Sequence, residues 1–247
     1  MTFRKTSTHV PSDFFATEAG GLRWLAEPGT ADVAGVIDVS ETALILERID
    51  EAPATREAAA DFGHRLAALH QAPAGRFGDN PPKVETYYFG PLSQPLKITT
   101  RSADSCGEAY AARLESLAGY DPNPPAEVTQ LIERIGAGTF DDDAAPARVH
   151  GDLWAGNLLF TSGTAALIDP AAWAGHPLID LGMLSLFSAP HLETIIGAWA
   201  EAYPVDMLGR DWRERIELYQ FFGLYAHAVL FGGGYRQASI TAARQYL

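Results

Sequence analysis

Cysteine occurs once in 247 residues, at Cys106, which excludes an internal disulfide and any zinc site built on several thiolates. Long apolar runs are missing too. Nothing approaches the roughly eighteen residues of a membrane-spanning helix, and the opening MTFRKTSTHV has no apolar signal core. Positive charge is scarce: 18 Lys and Arg stand against 31 Asp and Glu, a formal net charge of −13. Such a surface repels phosphate backbones and anionic lipid, so neither nucleic acid nor membrane is an expected partner. An anionic ligand would need a local cation or a metal. There is no internal repeat and no low-complexity tract, and the expectation is a soluble, cytoplasmic protein. What is present is a 47% hydrophobic fraction with 20% charged residues. That mix can bury a core in one large domain or two lobes.

Thr2 to Thr6 reads as a short extended segment before a stop at Pro11-Ser12. Ser12 suits a helix cap, with Phe15, Ala19, Leu22 and Ala26 following at helical spacing until Gly29. Val33–Val39 and Ala43–Ile49 read as strands, and a helix starts near Thr55 with Ala59, Phe62, Leu66 and Leu69 on one face. Residues 1–50 therefore predict a small α/β lobe, and residues 51–247 a larger helical one. The segment 72–107 is rich in Pro, Gly and polar residues; a structureless stretch of that length is suspect unless it lines a site. Helices resume at Glu108–Ala118 and after Pro124-Pro125. A hairpin joins 157–160 to 165–169 through Thr161-Ser162-Gly163-Thr164, and 179–231 is mostly helical. Glycines 232–234 read as a bend that neither follows a strand nor opens a helix, which makes a poor phosphate cradle.

The hairpin carries the chemistry. Arg148 to Pro170 reads RVHGDLWAGNLLFTSGTAALIDP, with Asp152, Asn157 and Asp169 where apolar strands begin or end. Any one of these is an ordinary turn-former. Together, an amide and a carboxylate brought side by side by a hairpin suit a hard cation such as Mg2+, which takes oxygen ligands and keeps waters. Asp152, off the metal, is placed to accept a proton from an attacking hydroxyl. Protein-kinase catalytic loops divide the work in the same way.

HGDLWAGN followed by LIDPAAWAGHPLIDLGMLSLF resembles the fructosamine kinase (ketosamine-3-kinase) family, within the aminoglycoside-phosphotransferase and choline-kinase-like group. Trp154 points to fructosamine kinases, because aminoglycoside enzymes usually have His there. Further matches run from Phe3–Thr6 and Asp13–Glu27 through Gly63–His70 to His227–Tyr235, so the resemblance covers nearly the whole chain. It implies an α+β, two-lobed protein-kinase-like fold with a small β-rich N-terminal lobe. It also implies an ATP- and Mg2+-dependent transfer of phosphate to the C3 hydroxyl of a ketosamine or glycated amine, a deglycation step. Lys5 matches the family's nucleotide-phosphate lysine and Glu18 its helix partner. Leu46-Glu47-Arg48-Ile49 resembles the hinge that meets adenine; a plain buried strand is an equal reading of those residues. Asp180 matches an aspartate that braces the catalytic loop, His150 reads as loop support, and Cys106 as an inert small residue.

Departures from the family pattern are also legible. Only four residues precede Lys5, and no G-x-G-x-x-G occurs, so the glycine-containing hairpin over the ATP phosphates is not expected. Leu96, Ser105-Cys106, Leu178-Ile179 and Ala226 replace residues the family usually has there. These losses are expected to edit the sugar site, leaving another small polyol or amino alcohol open as acceptor. Two rivals stand beside the ketosamine reading: a kinase of aminoglycoside- or choline-like alcohols, and a non-catalytic pseudokinase-like nucleotide-binding module.

Overall fold

A computed structural model describes residues 1–247. Strand β1 (Thr2–Thr6) leads to helix α1 (Phe14–Ala26), then β2 (Asp32–Val33), β3 (Val36–Ser40) and β4 (Ala43–Glu47). β1, β4 and β3 form one antiparallel sheet in that order, leaving β1 at an edge. Lys5 stands opposite Leu44, and Phe3 opposite Leu46. Directly opposed residues share a sheet face, so Lys5 lies on the face where Leu44 and Leu46 pack against Phe14, Phe15, Ala19 and Leu22 of α1. This small core has the period expected of a half-buried sheet under an amphipathic helix. Ser12 does not cap α1: Asp13 holds the cap position without a side-chain cap bond, and its carboxylate accepts the Tyr88 hydroxyl at 2.6 Å instead. The expected strand 33–39 is divided, because β2 leaves for a different sheet before Gly35.

The rest of the chain builds a larger core. Helix α2 (Arg56–Gln71) is capped by Thr55, whose hydroxyl accepts the Ala58 amide at 3.1 Å. A hairpin follows, β5 (Tyr87–Phe89) and β6 (Leu96–Ile98), then α3 (Cys106–Ala118), α4 (Ala126–Gly136) and β7 (Ala147–Val149). The hairpin β8 (Leu158–Phe160) and β9 (Ala165–Leu167) comes next, then β10 (Trp173–Gly175), which pairs with β7. Helices α5 (Leu178–Leu186), α6 (Leu192–Ala202), α7 (Trp212–Phe231) and α8 (Gly234–Arg244) complete the chain. α2 packs on α6, and α5 and α8 on α7. No helix is long and apolar enough to cross a membrane.

Two features join the halves. β2 pairs in parallel with β9, so a strand from the first 50 residues extends the β8–β9 hairpin. Arg148, buried on β7, donates to the Trp24 carbonyl at 2.6 Å and the Pro73 carbonyl at 2.7 Å, and pairs with Glu27. The far end of α1, at Trp24 and Leu25, belongs to the large core while its start serves the small one. Gly232 and Gly233 take φ of +62° and +57° and make the expected bend, but contrary to expectation the run does open a helix, because Gly234 begins α8. Two left-handed residues redirect the chain without using up the helical potential of the segment beyond.

Candidate active site

The turn after β7 is held from below by one carboxylate. Asp180, fully buried on α5, accepts the His150 amide at 2.8 Å and the Gly151 amide at 2.9 Å. Its third partner is His70 Nε2 at 3.1 Å. Trp199 Nε1 can only donate, and it donates to His70 Nδ1 at 3.0 Å. His70 therefore carries its proton on Nε2 and donates it to Asp180. Burial would raise the Asp180 carboxyl, but the hydrogen bonds it accepts from His70 and from the His150 amide hold it below the usual range. Gly151 has φ +78°, and a Cβ there would collide with the Ala171 carbonyl, so no other residue makes this turn. His150 Nε2 donates to the Ile168 carbonyl at 2.7 Å, and its Nδ1 accepts the Asp152 amide at 3.3 Å. Burial lowers its pKa, in keeping with a neutral supporting ring.

Above this turn a single 3-10 turn, Ala155–Asn157, presents Asn157. Its Nδ2 donates to the Asp152 carbonyl at 2.8 Å and lies 3.3 Å from Asp152 Oδ2 and 3.4 Å from the Asp169 carbonyl. The amide nitrogen is thus committed, and Oδ1 is the atom left to face outward. Asp169 follows β9 with φ 52°, a left-handed conformation that Asp tolerates and most residues avoid. Held that way, its Oδ2 lies 3.1 Å from Lys5 Nζ, which also pairs with Glu18 Oε2 at 2.9 Å.

Lys5, Glu18, Asp152, Asn157 and Asp169 all line one cavity of about 350 Å³. Glu47, Arg48 and Ile49 do not line it. The Glu47 amide is engaged by Gly35 and the Arg48 amide by Met1, while the Ile49 amide has no backbone partner. The far wall is aromatic, and most of it escaped the sequence reading. Trp154 meets Phe187 edge-on at 6.1 Å, Phe187 lies 5.0 Å from His227, and Phe231, 5.5 Å from His227, completes the wall, while Tyr88 lines the cavity from beside Phe14. A Cβ at Gly156 would strike the Trp154 ring, so this glycine is what lets the indole fold over the turn. Leu96, Cys106, Leu178, Ile179 and Ala226 are buried and line no part of the cavity. The expectation that these departures edit the sugar site is not met, because they fall in the core. Burial also pushes the Cys106 thiol well up, consistent with an inert residue.

Electrostatically the cavity sets acids against one cation. Burial alone would lower the Lys5 pKa, but the charges of Glu18 and Asp169 beside it raise it. Burial lifts the Glu18 carboxyl to about 7 against the pull of Lys5. Asp152 is lifted by burial to about 8, opposed by the Arg113 charge and by Asn157. No group of three or more His, Cys, Asp or Glu side chains is arranged to hold a metal. The available oxygens are Asn157 Oδ1 and the half-exposed Asp169 carboxylate. Two protein ligands, with the other positions open to water and phosphate oxygens, suit Mg2+ rather than a metal in a closed protein cage.

A lysine on a small sheet, paired with a glutamate from the following helix and touching the last member of an Asp–Asn–Asp set, is the arrangement of protein-kinase-like ATP-dependent phosphotransferases. Comparison with known proteins narrows that class. The fructosamine kinase family model matches residues 1–247, and the chain belongs to this family. A Synechocystis protein named as a probable ketoamine kinase is 31% identical, over 94% of this chain and 78% of its own length. A chloroplastic protein-ribulosamine 3-kinase of Arabidopsis thaliana is 28% identical, over 99% of this chain and 76% of that one. A solved Thermobifida fusca structure assigned as a fructosamine-3-kinase superposes with a TM-score of 0.82 at 35% identity. It covers 98% of this chain and 84% of that one.

Proposed function

We propose that the protein transfers the γ-phosphoryl group of ATP to the C3 hydroxyl of a ketosamine, a small glycated amine or a glycated protein side chain, in the cytoplasm. The convergence of Lys5, Asp152, Asn157 and Asp169 on one cavity carries this reading. Asp152 orients the acceptor hydroxyl and takes its proton as the new P–O bond forms. Its raised pKa makes it a stronger base than a surface aspartate. Lys5, steadied by Glu18, holds the nucleotide phosphates, and Glu47–Ile49 meets adenine, for which the free Ile49 amide is the available donor. Asn157 Oδ1 and Asp169 would hold Mg2+, which when bound neutralises charge on the transferring group. The division follows the chain: residues 1–50 serve the nucleotide, and residues 51–247 supply the catalytic turn and acceptor wall.

The wall of Trp154, Phe187, His227 and Phe231 supports an acceptor that carries a cationic or apolar arm, since a ring face attracts both. The test is ADP release with fructosyl-lysine, set against choline and an aminoglycoside. Turnover of the ketosamine supports the reading; turnover of another alcohol alone hands it to the rival kinase, and ADP release with none of them favours a binding module. Trp154 is 41% exposed, so its loss leaves the core intact. Trp154→Ala is expected to raise the acceptor KM about tenfold, a factor worth 1.4 kcal/mol, with the KM for ATP unchanged. Equal changes in both KM values would remove Trp154 from the acceptor wall.

A further inference from the structure

Arg113 on α3 is 1% exposed, yet no carboxylate lies within ion-pair distance of it. Its guanidinium lies among three rings, 4.0 Å from the centroid of Phe222, 4.6 Å from Tyr87 and 4.9 Å from Trp173. One hydrogen bond leaves it: NH2 donates to the Gly151 carbonyl at 3.0 Å, while Nε and NH1 have no partner. Burying a cation so poorly compensated is costly, and a leucine or methionine would fill the same space at less expense. A purely structural account therefore leaves the residue unexplained.

What the guanidinium touches supplies an account. The Gly151 carbonyl belongs to the peptide that enters Asp152. Asp180 holds the Gly151 amide on one side of that residue, Arg113 holds its carbonyl on the other, and His150 takes the Asp152 amide. The rings that cage Arg113 come from three separate elements. Tyr87 is on β5, whose next residues Tyr88 and Phe89 line the cavity; Trp173 is on β10, and Phe222 on α7. Arg113 also interacts electrostatically with both Asp152 and Asp180.

We propose that Arg113 is a positioning residue for phosphoryl transfer: its guanidinium, clamped between β5, β10 and α7, fixes the Gly151–Asp152 peptide and so aims the Asp152 carboxylate at the acceptor hydroxyl. This rests on Asp152 being the proton acceptor. It places no part of Arg113 in contact with substrate, so the signature is a fall in kcat without a change in nucleotide binding.

The test compares Arg113→Met, which keeps the packing volume but cannot donate, with Arg113→Lys, which can still reach a carbonyl with a charged donor. Steady-state kinetics with the ketosamine are read beside ADP affinity by calorimetry and melting temperature. The expected result is a kcat lowered on the order of 10²-fold in the methionine variant. ADP affinity and the KM for ATP stay within twofold, and the lysine variant recovers about tenfold of the loss. A methionine variant with kcat within threefold of wild type overturns the proposal. So do kcat, ADP affinity and melting temperature falling together in both variants, which is the signature of a core residue only. Should the methionine variant not fold, the lysine variant decides: lowered kcat at constant ADP affinity supports the role, and any other pattern overturns it. A wild type silent with every acceptor overturns the kinase reading and this proposal with it, whereas an active wild type with an indifferent Arg113 overturns this proposal alone.

Discussion

Asp152→Asn is expected to lower kcat by about 10³-fold, within the range that loss of a positioned general base produces, while ADP binds as tightly as to the wild type. Asparagine keeps the size of the side chain and an oxygen that can accept from Asn157 Nδ2, now 3.3 Å from Asp152 Oδ2. It cannot take up a proton. Lys5 pairs with Glu18 and with Asp169, not with Asp152, so the lysine–glutamate pair is untouched by the change. ADP release measured with the ketosamine, beside calorimetry with ADP, separates the two quantities. A variant retaining a tenth of wild-type turnover would remove Asp152 from its proposed role.

The same substitution has a second expected signature in stability. Burial holds the Asp152 carboxyl at about 8 in the folded chain, against about 3.9 in an unfolded one. Between those values the folded state binds the proton more tightly, so folding is favoured as pH falls and loses that advantage as pH rises through about 8. Asparagine never ionises and carries no such penalty. With metal chelated, Asp152→Asn is thus expected to melt several degrees above wild type at pH 8.5, with the gap narrowing toward pH 6. Thermal unfolding followed across that range checks it, and a gap that widens at low pH would contradict the sign. A functional carboxylate that costs stability is a common feature of active sites.

The legible part of this molecule was where chemistry and period coincide in a short stretch of chain. Thr55 before the Ala59-Phe62-Leu66-Leu69 stripe gave α2 a start and a buried face, and α1 followed from the same spacing. Asp152, Asn157 and Asp169 could be gathered in advance because a single hairpin, β8–β9, does the gathering. Lys5 and Glu18 sit on different elements thirteen positions apart, and nothing in their spacing joins them; they were reachable only by resemblance to the family. The β5–β6 hairpin has three-residue strands, too short to show a period. Nothing in EAYAARLES marks Arg113 as buried, because the rings that enclose it come from positions 87, 173 and 222. Long-range convergence of this kind leaves no local mark. The aromatic wall was hidden for the same reason: Phe187, His227 and Phe231 lie in segments that resemble the family, but only Trp154 stands out in its motif.

Asp169 offers the second large effect, and its backbone dictates which variant to use. At φ 52° an alanine would add strain to the loss of charge. Asparagine, which tolerates the left-handed region, removes the charge and keeps the turn. In the wild type the Asp169 carboxylate is shared between Lys5, at 3.1 Å, and the open cavity beside Asn157. A bound Mg2+ would compete with Lys5 for this carboxylate and would leave the lysine available to phosphate oxygens. Asp169→Asn therefore acts twice: it weakens the metal ligand set to two neutral oxygens, and it leaves Lys5 with Glu18 as its sole ion-pair partner. The expected outcome is a kcat reduced about 10³-fold, worth some 4 kcal/mol of transition-state stabilisation, and an ATP affinity that no longer rises when Mg2+ is added. Binding without metal should hold or improve slightly, because a negative charge has left the phosphate path. Calorimetric titration of ATP with and without Mg2+ reads both effects. If the variant kept the wild-type gain in affinity on adding Mg2+, the metal would have to be held elsewhere, and Asp169 would be only a turn residue in a strained conformation.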